Sequence, residues 1–121
     1  MVVLVLGAGG QLGQSIQFIA NDYPEIQFNF FSRLDLDITN ELGLKSIFNS
    51  LKPNFCVNAS AYTAVDKSES EQEQAHLINV VGVKNVAQTC QDFDTTLIHV
   101  STDFVFDGSK NSPYTEDDVT N

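Results

Sequence analysis

The spacing of apolar positions along this chain changes several times, and each change marks an element. Val2 to Leu6 is an unbroken apolar run, the pattern of a strand covered on both faces. From Leu12 to Asn21 the apolar residues Leu12, Ile16, Phe18, Ile19 and Ala20 fall at helical spacing. Phe28 to Phe31 gives a second short strand. Asn40 to Leu51 reads as a helix with Leu44, Ile47, Phe48 and Leu51 on one face, stopped by Pro53. Phe55 to Asn58 is a third strand. A longer helix begins near Ser68, where Ser68 with Glu71, or Ser70 with Glu73, fits a capping box. Its apolar stripe is Leu77, Ile78, Val81 and Ala87, joined by Val83 and Val86. Gly82 inside it points to close approach of helix to sheet, since a mid-helix glycine costs about 1 kcal/mol against alanine. Thr95 to Val100 is the fourth strand, and the chain turns loop-like from Phe104.

The order βαβαβαβ predicts an α/β protein: a Rossmann-like three-layer α/β/α arrangement with a parallel sheet of at least four strands in the order 3-2-1-4. Residues 1–121 read as one NAD(P)-binding domain. The carboxyl ends of such strands face one crevice. Gly7 to Gly10, Ser32 to Ile38, Asn58 to Tyr62 and Ser101 to Phe104 should therefore converge.

The first strand runs straight into GAGGQLG. Gly7 permits a tight turn, Gly10 leaves room for a pyrophosphate against the backbone, and Gly13 lets the helix lie close to the strand. The helix start then aims free N–H groups and a positive dipole end at the phosphates. The second strand ends Phe31-Ser32-Arg33, with no Asp or Glu at its tip to take a ribose hydroxyl. A serine hydroxyl and a guanidinium fork suit a 2′-phosphate, so NADP(H) is expected, with NAD(H) the other candidate. Asp37 reaches the adenine amino group or caps the next helix.

Composition narrows the partners. The 121 residues carry a formal net charge of −10, which repels nucleic acid and anionic membranes at long range. No apolar run approaches the about 20 residues of a membrane span, and no signal peptide is visible, so a cytoplasmic location is expected. Cys56 and Cys90 form no CxxC and read as buried thiols in a reducing compartment. Asn58-Ala59-Ser60 fits a glycosylation sequon, which has no meaning without secretion. His99, mid-strand, reads as a satisfied core histidine and His76 as surface. Glu69, Glu71 and Glu73 favour a helix start; no metal site is expected. Asn79 either positions a water or backbone group or is a buried polar helix residue.

The stretches GAGGQLG (7–13), LDITN (36–40), NASAYTAVDKSE (58–69), INVVGVKNVA (78–87), STDFVFDG (101–108) and PYTEDD (113–118) resemble the extended short-chain dehydrogenase/reductases, and within them the dTDP-4-dehydrorhamnose reductase family. The resemblance implies reduction of the C4 ketone of dTDP-4-dehydro-L-rhamnose by hydride from NAD(P)H. It places Gly7, Gly10, Gln11 and Leu12 at the cofactor pyrophosphate and Asp37 and Ile38 beside adenine. Ala59, Ser60 and Ala61 would line the ribose and nicotinamide side, with Tyr62 and Thr63 completing that wall. Val65 would touch the sugar. Thr102 takes the place of the catalytic hydroxyl, and Asp103 would orient the sugar. Such chemistry needs a donor for the carbonyl oxygen and a proton source.

The family's YxxxK pair does not occur in these residues. The resemblance therefore implies an N-terminal fragment of a longer reductase, inactive alone. Ser60 stands where alanine is usual, Phe104 where tyrosine is usual, and Ser15 where some members carry a glutamate of a metal-linked dimer, which leaves the oligomeric state open. Two other functions fit the same sequence: a non-catalytic NADP-binding regulatory subunit, and another nucleotide-sugar epimerase or dehydratase of the extended family.

Overall fold

A computed structural model of the chain describes residues 1–64, 70–102 and 105–120. Four parallel strands, β1 (Val2–Leu6), β2 (Gln27–Phe31), β3 (Phe55–Asn58) and β4 (Thr96–His99), form one sheet. Helices α1 (Gln11–Ala20) and α2 (Glu41–Leu51) fill the first two crossovers. The third holds α3 (Gln72–His76), a π-helical turn (Leu77–Gly82) and α4 (Val83–Asp92), and the junction residues His76, Leu77, Gly82 and Val83 all have right-handed helical backbone.

The Rossmann-like parallel architecture is as the sequence predicts, but the strand order is not. It is β2-β1-β3-β4, not 3-2-1-4. The chain leaves β2, passes over β1 and adds β3 on the far side. Burial explains the choice. β1 is covered almost throughout, and β3 buries Cys56 and Asn58, so both suit the centre; β2, with Gln27 and Asn29, suits an edge. Val3 consequently stands opposite Phe28 on one side and Phe55 on the other.

One face of the sheet carries the main core. Leu4, Leu6 and Cys56 pack there with Leu44 and Phe48 of α2 and Val86 and Cys90 of α4. Cys56 and Cys90 are free buried thiols; their mutual hydrogen bond and burial push the Cys56 thiol far up. α2 begins at Asn40, whose Oδ1 accepts from Gly43 N–H at 3.0 Å. It ends at Lys52, in left-handed backbone (φ +46°), just before Pro53.

The third crossover departs from the simple helical reading. The residue capping α3 is Glu71, not Ser68 or Ser70, and Glu71 makes no side-chain cap bond. Ser68 lies outside the described residues. The buried stripe runs Ile78, Gly82, Val86, Thr89 and Cys90, while Leu77 and Ala87 are exposed. A π turn holds more residues than an α turn and so rotates the buried face. Gly82 serves close packing, though against a loop: a Cβ there would stand 2.6 Å from Cγ1 of Ile38.

Candidate functional site

The β1–α1 junction is shaped by what it lacks. Gly7 has φ +78°, and a Cβ on it would lie 2.6 Å from the Ser60 nitrogen and 2.7 Å from the Ala59 carbonyl carbon. The tips of β1 and β3 meet only because that carbon is missing. A Cβ on Gly13 would stand 2.5 Å from Gly7 O, so α1 rests directly on the turn. Gly10 N–H donates to Gly7 O at 3.0 Å, and Gly10 caps α1 with extended backbone and no side-chain bond. The first-turn amides of Gln11 and Leu12 thus lack a side-chain acceptor, the arrangement that receives an anion.

A cavity of about 340 Å³ opens beside this turn, over the gap where β1 sends the chain one way and β3 the other. Gly7, Gly9 and Gly10 form one wall, Arg33, Leu36, Asp37 and Ile38 a second, and Ala59, Ser60, Ala61, Tyr62, Thr63 and Ala64 a third, with Ile78 at the base. Of the residues expected at the cofactor, Gly7, Gly10, Arg33, Asp37, Ile38, Ala59, Ser60, Ala61 and Tyr62 are therefore brought together. Gln11, Leu12 and Ser32 are not in the lining, although Ser32 lies near Gly9. Thr102 is exposed beyond β4 and also outside the lining. Val65 and Asp103 lie outside the described residues, as does Phe104.

The second wall is held by short polar bonds. Asp35 Oδ2 accepts from the Ser32 hydroxyl at 2.6 Å and from its backbone N–H at 2.9 Å. These two bonds hold the Asp35 carboxyl below its ordinary range. Asp37 Oδ1 accepts from Thr39 N–H and Oγ1 at 2.9 and 2.8 Å, and Arg33 Nε lies 3.4 Å from Asp37 Oδ2. Burial opposes ionisation of Asp37, but the Thr39 bonds and the Arg33 charge outweigh it and lower its pKa. Asp37 thus ties the turn ahead of α2, while the α2 cap itself is Asn40. The Arg33 side chain is 63% exposed.

Asn79 is the functional position that sequence reading left open. It lies on the π turn and is exposed, not buried. Its side-chain amide bonds both backbone groups of Tyr62, and the Tyr62 hydroxyl donates to Glu71 at 2.5 Å. That bond raises the phenol pKa. His99 also departs from expectation: it is exposed, and its Nδ1 lies 3.3 Å from Asn58 Nδ2. Asn58 is 1% exposed, which closes the sequon asparagine to modification. Among the described residues no group of three His, Cys, Asp or Glu side chains could hold a metal ion, and no helix is long and apolar enough to cross a membrane.

A parallel doubly wound sheet with a glycine turn and a cavity at its switch point defines a Rossmann-like nucleotide-binding fold. Family comparison gives the narrower assignment. The family described as "RmlD substrate binding domain" matches residues 1–121, and the chain belongs to it. It is 42% identical over 117 residues to a dTDP-4-dehydrorhamnose reductase of Aggregatibacter actinomycetemcomitans, covering 97% of this chain and 40% of that relative. The crystal structure of a dTDP-4-dehydrorhamnose reductase from Clostridium acetobutylicum superposes with a TM-score of 0.94 at 40% identity, covering 100% of this chain and 43% of that one. A Bacillus anthracis dTDP-4-dehydrorhamnose reductase, solved in complex with NADP, gives a TM-score of 0.86 at 36% identity, covering 90% of this chain and 39% of that one. The chain thus spans about two-fifths of the length of these relatives.

Proposed function

We propose that this chain is the cofactor-binding part of a dTDP-4-dehydrorhamnose reductase, acting in the cytoplasm on a nucleotide-sugar ketone with NADP(H), or alternatively NAD(H). The observation that carries the reading is the cavity at the β1/β3 switch point, lined by the glycine turn, Arg33 and the Ala59–Ala64 segment together. Family membership supports a nucleotide-sugar substrate.

In this reading Gly7 and Gly10 let a pyrophosphate approach the main chain, and the Gln11 and Leu12 amides bond it. Arg33 turns its guanidinium onto a 2′-phosphate while keeping Asp37 at Nε. Ser32 joins only by releasing Asp35. Ile38 and Asp37 flank the adenine. Ala59, Ser60, Ala61 and Tyr62 border the ribose and nicotinamide. The bound dinucleotide supplies the hydride. The Thr102 hydroxyl donates to the ketone oxygen as negative charge grows there, Asp103 orients the sugar and Val65 touches it. The 121 residues hold no YxxxK pair to deliver a proton, so the chain by itself binds cofactor without turnover.

Titration of the chain with NADPH, followed by nicotinamide fluorescence, should show saturable binding; no binding would sink the proposal. The substrate is tested by joining the chain to the remaining part of the Aggregatibacter relative. The chimera should consume NADPH with dTDP-4-dehydro-L-rhamnose. Consumption with a different keto-sugar nucleotide only would reassign the enzyme.

A further inference from the structure

Asn58 and His99 face each other in register at the carboxyl ends of β3 and β4. Their bond has only one possible polarity. Asn58 Oδ1 lies 3.1 Å from the Ser60 backbone N–H, which can only donate, so the Asn58 oxygen is fixed on that side. The remaining Asn58 amide atom is the NH2, also only a donor. The His99 Nδ1 at 3.3 Å must therefore be the acceptor. It carries no proton, and His99 is in its Nε2–H tautomer. A second ring proton would set two donors against each other at that distance.

Ser60 is the residue whose nitrogen meets the space in front of Gly7, and it lines the cavity. We infer that His99 is a positioning residue of the cofactor site: its bare Nδ1 holds the Asn58 amide in the orientation that seats Ser60 N–H beside Gly7. The inference rests on reading the cavity as a dinucleotide site. His99 touches neither the cavity nor its contents. It acts through Asn58, which is buried, so a lost partner there costs a full unmade hydrogen bond.

Loss of the His99 acceptor leaves the Asn58 NH2 unpaired inside the protein, frees that amide to turn away from Ser60, and loosens the third wall. Cofactor affinity should fall with it.

The test is NADH binding by this chain. His99→Leu removes the acceptor and should raise the Kd about fivefold, the worth of one hydrogen bond. His99→Asn supplies an acceptor at the same bond count from Cβ and should keep the wild-type affinity. An unchanged Kd in His99→Leu, or a His99→Asn protein as weak as His99→Leu, overturns the inference. Nuclear magnetic resonance on the cofactor-free chain separates this relay from the function proposed above. The Ser60 amide signal should move in His99→Leu and return in His99→Asn whether or not NADH binds. A Ser60 signal that ignores both substitutions overturns the relay, whereas a coupled signal without NADH binding refutes only the cofactor reading.

Discussion

Asn79 grips the backbone of Tyr62 with both atoms of its amide: Oδ1 accepts from Tyr62 N–H at 2.8 Å and Nδ2 donates to Tyr62 O at 3.1 Å. This pair ties the third cavity wall to the π turn. Asn79→Ala should cost about 1–2 kcal/mol, the sum of two partly exposed hydrogen bonds, and should raise amide exchange at Tyr62 and its neighbours. Asn79→Asp keeps the acceptor and loses the donor, so it should fall between the two. Equal exchange in all three proteins would show that the wall holds without the clamp.

Arg33→Ala should weaken NADPH binding about tenfold more than NADH binding, because one charge-assisted contact to the 2′-phosphate is lost. Isothermal titration with both dinucleotides decides it. Equal losses would return Arg33 to the role of a partner for Asp37.

Gly7→Ala places a carbon against the backbone of β3 and forces a residue with a side chain into left-handed conformation. Strain of this kind costs about 1–3 kcal/mol before the clash is counted. Thermal unfolding should move down by about 10 °C, and cofactor binding should fall with it. An unchanged melting temperature would mean that the β1 and β3 tips separate freely.

Gly82→Ala drives its methyl into Ile38 and should destabilise by about 1–3 kcal/mol. Combined with Ile38→Ala the loss should be smaller than the sum of the single losses, since the clash disappears with the isoleucine. Strict additivity in urea unfolding would refute the contact.

The turn between β2 and α2 should respond to acid. Asp35 and Asp37 have folded pKa values below their ordinary ones. The stability they contribute is therefore present above the ordinary carboxylate range and is lost as pH falls through the lowered values. Amide exchange at Ser32 and Thr39 should accelerate below about pH 4, while the β1–β3 pairing stays protected. Exchange that rises uniformly across the sheet would point to global unfolding instead.

Much of this was legible in the residues. The unbroken run Val2–Leu6, the glycines behind it and the stripe of Leu44 and Phe48 located β1, its turn and α2 to within a residue. Strand order was not legible. Local periodicity says where a strand lies but not which neighbour it takes, and the polar positions Gln27 and Asn29 that make β2 an edge are too few to announce it. The π turn was also hidden, because apolar periodicity over Leu77 to Gly82 marks a helix but does not separate a π turn from an α turn. Glycines and Arg33 could be placed at the cavity because their chemistry is tied to a strand end. Asn79 could not, since its partner is a backbone group seventeen residues away.

The two partners of β1 both come after it in the chain, Phe28 and then Phe55 facing Val3. During synthesis this apolar strand therefore emerges before either of the neighbours that cover its edges. Until Phe55–Asn58 has emerged, VVLVL has one bare flank, open to pairing with another nascent chain. The temporal order of translation thus sets a window of vulnerability that the finished sheet conceals.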